Sequence, residues 1–177
     1  MPSFKYPKPL PEPSRQSALS LVAPALCVRY VEGLRACRKA GLRVIPFESL
    51  RTSGRQQWLY QQGRDWAGTI VTQAPTLETS WHGGGCALDT AFVKDDGSVY
   101  WPTSAATWLH YGQIMESVGL AWGGRWKRPD SPHVQLQYVP KTPTLEDGKY
   151  ILSSRLQDLW HKYDADRISY YDDVSKI

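Results

Sequence analysis

The chain has 177 residues and a mass of 20.0 kDa, which fits one domain with a buried core and is too short for two comfortable ones. Its 21 basic and 17 acidic residues give a net charge of +4 without any long run of like charge, so we expect no nucleic-acid partner. The sequence has neither a signal-peptide pattern nor an apolar stretch of spanning length, so we expect synthesis in the cytoplasm and no membrane insertion.

The first 40 residues predict an arm followed by a helix. Residues 1–15 carry five prolines, which predicts an extended arm without a role in the core. Apolar residues recur with helical spacing over residues 19–40, with an interruption at Pro24, and Gly41 predicts the end of that helix.

A strand and a second helix are predicted next. Residues 42–50 are short, β-branched and marked by a proline, which is typical of an edge strand, and Arg51 lies at its exit. Ser53 is a candidate N-cap for a helix that ends at Gly63.

The middle of the chain predicts a mixed set of elements. Residues 70–72 form a small strand candidate, and residues 86–93 read as a buried strand whose following turn, residues 95–98, predicts a hairpin. A helix capped by Ser104 and a last strand over residues 133–138 complete the pattern.

Three cysteines, an odd number without CxxC spacing, indicate neither a disulfide framework nor a cysteine-rich zinc site. Cys27 and Cys37 are interpreted as small buried hydrophobic residues, with a disulfide as the alternative.

Two short islands, residues 80–89 and 129–133, together hold two imidazoles and two carboxylates. His82, Asp89 and His133 supply the three N/O ligands that a catalytic zinc ion takes when its fourth position is left for water. Residues 82 and 89 would face opposite sides of a regular strand, so the intervening Gly83–Gly85 must bend the chain. Manganese or cobalt are alternative ions, because ligand type restricts the metal only loosely.

The remaining carboxylate, Asp130, precedes His133 by three residues, and Pro132 turns the segment between them. We therefore expect Asp130 to act as general base and then as general acid in the hydrolysis of an amide. Arg51 is predicted to hold a substrate carboxylate or the developing oxyanion, with an ion pair at the strand end as the alternative.

Four other residues have two interpretations each. Ser80 either binds substrate or caps a turn. Trp122 and Trp126 either surround a glycine turn as buried aromatics or form a wall of the substrate cleft. Cys86 is either a buried strand residue or an unusual extra metal ligand.

The islands carry a family resemblance. The pattern S-x-H-x-x-G-x-A-x-D over residues 80–89, followed by G-L-x-W-G-G-x-W over 119–126 and D-x-P-H over 130–133, is similar to the zinc peptidases of the D-alanyl-D-alanine carboxypeptidase and L-alanyl-D-glutamate endopeptidase superfamily. Arg51, Gln56 and the segment 59–64 resemble the arginine segment of its endopeptidase branch. The resemblance covers roughly residues 45–138.

This resemblance implies an α+β fold of the hedgehog and DD-peptidase type, with a small, mainly antiparallel sheet flanked by helices. It implies one zinc ion on His82, Asp89 and His133, Asp130 as the catalytic acid and base, and Arg51 at the substrate. It also places Gln56 among the substrate-binding residues. The predicted domain organisation is an arm at 1–15, a catalytic domain at 16–140 and a helical tail at 141–177.

The implied substrate is bacterial peptidoglycan. Aspartate at position 130, where dipeptide-trimming relatives commonly carry glutamate, favours an endopeptidase that cleaves the L-alanyl-D-glutamate bond. A D-alanyl-D-alanine carboxypeptidase and a non-catalytic wall-binding module are the alternatives. Many relatives with this aspartate are phage endolysins or sporulation and autolytic wall enzymes. We expect a phage or prophage endolysin that reaches the cell wall after a separate holin-type protein releases it, and we expect a monomer.

Overall fold

The computed structural model describes residues 11–137 and two short strands near the C-terminal end, Leu145–Glu146 and Lys149–Tyr150. Its centre is a five-stranded antiparallel sheet of β1 (Val44–Glu48), β2 (Ala87–Val93), β3 (Val99–Tyr100), β4 (Leu120–Trp122) and β5 (His133–Leu136). Four of these strands lie in the order β1-β2-β5-β4, with β1 at one edge. The remaining strand, β3, pairs with β2 and forms the predicted hairpin with it.

Three α-helices accompany the sheet: α1 (Pro24–Lys39), α2 (Ser53–Gln61) and α3 (Ala105–Ser117). Pro24 does not interrupt α1 but starts it, because a proline in the first turn loses no hydrogen bond. The hydroxyl of Thr52, one residue before the predicted cap, accepts from the Arg55 amide of α2 (3.3 Å), whereas Ser104 caps α3 as predicted.

Helices α1 and α3 pack on the sheet and enclose the main hydrophobic core. None of the three cysteines forms a disulfide, and all lie in this core, with Cys27 at 2% and Cys37 and Cys86 at 0% exposure, which confirms that they are small buried residues. The largest fully buried apolar side chains of the core include Tyr30, Tyr111, Leu26, Leu88, Met115 and Leu120.

Three sequence predictions need correction. Residues 70–72 are not a strand, and Ile70 and Val71 are exposed. Strand β4 was not predicted, because the segment that starts at its last residue, Trp122, was interpreted as a glycine turn. Strand β5 ends at Leu136, two residues early, and Tyr138 lies outside the described residues.

The predicted tail, residues 141–177, lies outside the described residues except for β6 (Leu145–Glu146) and β7 (Lys149–Tyr150), which are extended and paired antiparallel rather than helical. Within the part of the chain that the structure describes, no helix is both long and apolar enough to cross a bilayer.

Candidate metal centre and catalytic cleft

Two of the three predicted metal ligands are cross-strand neighbours. Asp89 of β2 pairs with His133 of β5, and on its other side it pairs with Glu48 of β1. Because directly opposed residues of an antiparallel pair have β carbons only about 5 Å apart, strand register alone brings the carboxylate and the imidazole together.

The third predicted ligand, His82, reaches them from a turn that the glycines make possible. Gly85 has a φ of +65°, a left-handed conformation that L side chains rarely adopt. A β carbon on Gly83 would lie 2.3 Å from the carbonyl oxygen of Leu77, so that position also excludes side chains. The predicted bend between His82 and β2 is therefore present.

The donor atoms of these three residues form a nearly equilateral triangle. His82 Nε2 lies 3.3 Å from His133 Nδ1 and 3.4 Å from Asp89 Oδ1, and His133 Nδ1 lies 3.2 Å from Asp89 Oδ1. A tetrahedral zinc ion with bonds of about 2.05 Å separates its ligand atoms by about 3.3 Å. The triangle thus has the size of one face of a zinc tetrahedron, which leaves one ligand position open.

Hydrogen bonds behind the two imidazoles orient their lone pairs toward the centre of this triangle. The Nδ1–H of His82 donates to the backbone carbonyl of Ser49 (2.9 Å), and the Nε2–H of His133 donates to the side-chain oxygen of Gln135 (3.1 Å). The unprotonated nitrogens, Nε2 of His82 and Nδ1 of His133, therefore face each other and Asp89. Such carbonyl and amide partners are typical of metal-binding histidines.

Three acceptor atoms this close repel one another unless a cation lies between them. A proton on the imidazoles can play the part of that cation: although burial raises the pKa of Asp89, the positive charge of protonated His82 and hydrogen bonds with His133 and His82 hold it well below its usual range. The carboxylate therefore stays ionised and available as a ligand. Within the described residues, these three form the group of acidic and imidazole side chains that could hold a metal ion.

Asp130 leaves the same turn as His133. Its amide donates to the Gly123 carbonyl (3.0 Å), and its own carbonyl accepts from the His133 amide (3.2 Å). A β carbon on Gly123 would lie 3.2 Å from the β carbon of Asp130 and 3.1 Å from that of His133, so these two side chains emerge next to each other.

The charges that act on the Asp130 carboxyl include those of the three predicted metal ligands. Its pKa is raised, first by desolvation of the carboxyl and then by the charge of Asp89, while His133, His82 and Arg51 oppose the shift. The side chain nevertheless stays exposed to solvent, so the carboxylate can contact both water and a peptide. A raised pKa and this access suit proton transfer near neutral pH.

Arg51 lies behind the metal ligands and is only 8% exposed. Its guanidinium donates to the Glu48 carboxylate (2.5 and 3.1 Å) and to the side-chain oxygen of Gln56 (3.1 Å), and it lies 3.5 Å from Asp89 Oδ2. This arrangement matches the alternative of an ion pair at the strand end, and it lets Arg51 orient Asp89.

The structure encloses Gln56, which the family resemblance placed among the substrate-binding residues. Gln56 is 0% exposed, its oxygen accepts from Arg51, and its nitrogen donates to the carbonyl of Ala74 (2.6 Å). Both ends of the amide are used internally. Gln56 therefore positions Arg51 and the loop that contains Ala74.

The two tryptophans of the G-L-x-W-G-G-x-W segment have different environments. Trp122 is 6% exposed and its indole N–H donates to the carbonyl of Ser131 (2.8 Å), which favours the buried-aromatic interpretation over the cleft wall. Trp126 is 41% exposed and its ring lies 5.0 Å from the His133 ring. Trp126 is thus an accessible aromatic surface beside the metal ligands.

The structure favours the turn interpretation of Ser80. Ser80 is 5% exposed, its amide donates to the Leu77 carbonyl (3.0 Å), and its carbonyl accepts from the Gly83 amide (3.0 Å). Cys86 donates its thiol to the carbonyl of Gly84 and lies in the core, which supports the buried-residue alternative.

Sequence reasoning missed Glu48, Ser49 and Gln135. Gln135 could have been found, because it lies two residues after His133 on a strand and therefore on the same face. Ser49 acts through its backbone carbonyl, which carries no sequence signal.

The described site lies in a segment that is similar to one class of proteins. Residues 73–136, which contain the three predicted metal ligands and Asp130, match the family described as D-alanyl-D-alanine carboxypeptidase. This match confirms the resemblance that the two islands predicted.

Individual relatives agree with this class. The peptidoglycan L-alanyl-D-glutamate endopeptidase CwlK of Bacillus subtilis (strain 168) is 38% identical over 109 residues, which cover 57% of this chain and 65% of that relative. The chain thus spans slightly less than two thirds of its length. The L-Ala D-Glu endopeptidase ChiX of Serratia marcescens superimposes with a TM-score of 0.54 at 24% identity, over 71% of this chain and 91% of that one. The ChiX superposition confirms the predicted α+β fold.

Proposed function

We propose that the chain is a zinc-dependent peptidase that hydrolyses the L-alanyl-D-glutamate bond of peptidoglycan stem peptides. The observation that carries this proposal is the donor triangle of His82, Asp89 and His133, with edges of 3.2–3.4 Å, next to the accessible carboxylate of Asp130. The choice of bond is supported by the identity to CwlK, whose name states that specificity.

The residues divide the chemistry between them. When bound, zinc would polarise the scissile carbonyl and increase the acidity of water at its open position. Asp130 takes the proton from the attacking water and returns it to the departing amine. The exposed ring of Trp126 forms one wall along which the peptide lies. Arg51 holds Oδ2 of Asp89, so that Oδ1, the oxygen of the donor triangle, keeps its position.

A muropeptide digest tests the bond and the metal together. Purified muropeptides are incubated with the protein, with and without a chelator, and the products are analysed by mass spectrometry. Cleavage that exposes a new D-glutamate amino terminus, and that stops with the chelator and resumes with added zinc, is the expected result. Release of free D-alanine instead would replace the proposal with the carboxypeptidase alternative, which the family match also favours.

Asp130→Asn tests catalysis against mere wall binding. The substitution keeps the shape of the side chain, so we expect normal zinc content and a rate lower by about 10²–10⁴-fold. Asp96→Asn, in the exposed hairpin turn, is the matched control and should keep full activity. Equal hydrolysis by both variants would remove Asp130 from the mechanism, and a parent protein that binds walls without hydrolysis would establish the non-catalytic alternative.

We also propose an endolysin setting, in which a monomer made in the cytoplasm reaches the wall after a holin-type protein opens the membrane. The sequence resemblance supports this setting. Co-expression with and without an inducible holin tests it: lysis should require both proteins. Lysis by the chain alone would contradict the need for a release partner.

A further inference from the structure

The segment of residues 12–16, here called the strap, lies against the outer end of β1 and the start of α2. Its side chains are exposed or half-buried, and nothing in the proline-rich sequence predicted a role for it. The strap nevertheless contacts Ser49 and Arg55, two buried residues behind the metal ligands.

The first connection runs through Ser49. The amide and the hydroxyl of Ser49 both donate to the carbonyl of Gln16 (2.7 and 3.0 Å), and the carbonyl of Ser49 accepts from Nδ1–H of His82 (2.9 Å). Ser49 itself is 0% exposed. The strap therefore fixes Ser49, the residue whose carbonyl sets both the tautomer and the ring orientation of His82.

The second connection is a chain of alternating charges that ends at Asp89. Glu12 accepts from Arg55 (2.8 Å), Arg55 donates to Glu48, and Glu48 accepts from Arg51 (2.5 Å). Arg51 in turn lies 3.5 Å from Asp89 Oδ2. Three members of this chain, Glu48, Arg51 and Arg55, are at most 8% exposed, so solvent screens their mutual attraction only weakly.

Two further contacts hold the strap in place. The carbonyl of Pro13 accepts from Arg55 (2.9 Å), and the guanidinium of Arg15 lies 4.0 Å from the centre of the Phe47 ring. Four residues of the strap thus contact three partners, Ser49, Arg55 and Phe47, as expected of a segment with a fixed position.

We propose that the strap positions the metal centre, by fixing the Ser49 carbonyl behind His82 and by completing the charge chain that orients Asp89. This inference rests on the proposed zinc site and goes beyond it, because it assigns a role to residues that lie outside the family match over 73–136. Without the Glu12 carboxylate, Arg55 interacts more strongly with Glu48, and Glu48 then attracts Arg51 less. Arg51 turns further toward Asp89, and the Asp89 carboxylate becomes a weaker metal ligand.

The test uses Glu12→Gln, Ser49→Ala and the double variant in the full chain. Zinc affinity is measured by competition with a chromophoric chelator, and site geometry is measured from the visible absorption of the cobalt-substituted protein. We expect Glu12→Gln to weaken zinc binding about 2- to 3-fold, and the double variant up to about 10-fold, with a changed cobalt spectrum. These losses stay at the low end of the about 10- to 100-fold typical for a direct outer partner of a metal ligand, or below it, because the Ser49 carbonyl and Arg51 remain. Glu32→Gln and Ser20→Ala, at exposed positions away from the strap, are matched controls that should bind zinc normally.

The outcomes separate the claims. Unchanged zinc affinity and an unchanged cobalt spectrum in the double variant, even with a lower melting temperature of the metal-free protein, would show that the strap is only structural and would overturn the proposal. A parent protein that binds no zinc would overturn it together with the metal centre. A parent that binds zinc but cleaves no muropeptide would overturn the proposed function alone.

Discussion

Gly123 is the position where a single added methyl group tests the geometry of the turn that carries Asp130 and His133. A β carbon there would lie 2.5 Å from the carbonyl oxygen of Asp130, 3.1 Å from the β carbon of His133 and 3.2 Å from that of Asp130. A carbon and an oxygen are normally separated by more than 3 Å, so Gly123→Ala must move the Asp130 backbone by more than half an ångström. That backbone carries a proposed ligand and the proposed base.

The expected effect on stability is that of an overpacked site, a loss of about 1–3 kcal/mol in the free energy of unfolding. The expected effect on rate is of similar size in free energy, because a misplacement of about 1 Å at reacting groups can cost about 10²-fold, or about 2.7 kcal/mol. We therefore expect Gly123→Ala to remain folded while its kcat on muropeptides falls by about 10- to 100-fold. Denaturant titration and initial rates measure the two effects separately.

Gly54→Ala is the matched control. Gly54 lies in the first turn of α2, and a β carbon there would meet nothing within 4 Å. Alanine is the better helix former by up to about 1 kcal/mol, so this variant should be as stable as the parent or more stable, with full activity. A Gly123→Ala enzyme with parental kcat would refute the inference that the close approach of Gly123 positions Asp130 and His133.

Three further predictions concern the cleft, the thiols and the metal. Trp126→Ala should raise KM without lowering the melting temperature, whereas Trp122→Ala should lose about 3–5 kcal/mol of stability; the reverse pattern would exchange their roles. Burial raises the pKa of Cys37 and Cys86 to about 12, above the value of an unfolded thiol, so both should resist alkylation in the native state. The contribution of these two thiols to the free energy of unfolding should stay constant below about pH 8.5 and fall between there and pH 12, by up to about 1.4 kcal/mol per pH unit per thiol, so alanine at both positions should make the measured slope in that range shallower. Zinc at about 1,000 times its Kd should raise the free energy of unfolding by about 4 kcal/mol over the chelated protein, and a His133→Ala variant should lose this difference.

The predictive power of the sequence was greatest where residue type and spacing are both restrictive. His82, Asp89 and His133 were predicted as a set because few chemistries need two imidazoles and a carboxylate in glycine- and proline-shaped segments. The bend before β2 followed from the same reasoning, since the glycines are needed for His82 to reach Asp89. Helices α1 and α3 were predicted because the apolar spacing and the glycine after each helix agree, and in α3 the Ser104 cap agrees as well.

Long-range packing was not predictable in the same way. Trp122 and Trp126 have the same side chain, four residues apart, and only the position of β4 in the sheet decides that the first is buried and the second exposed. Gln56 is similar: a glutamine has no pattern that distinguishes a substrate contact from a buried partner of Arg51. The extended region 70–72 has β-branched residues but pairs with no neighbouring strand among the described residues, so propensity alone misled.

The centre has to hold three mutually repelling acceptor atoms close together before any ion arrives. Strand pairing fixes Asp89 against His133, but it leaves ring rotation free, and the His82 turn has no ladder to hold it. The hydrogen bonds to the Ser49 carbonyl and to Gln135 remove those rotations, each by engaging the ring N–H that would otherwise point at a ligand. The ligand side chains are therefore ordered when the protein folds, and metal binding does not have to supply the free energy for ordering them. A variant that weakens these outer bonds should accordingly lose metal affinity before it loses its fold.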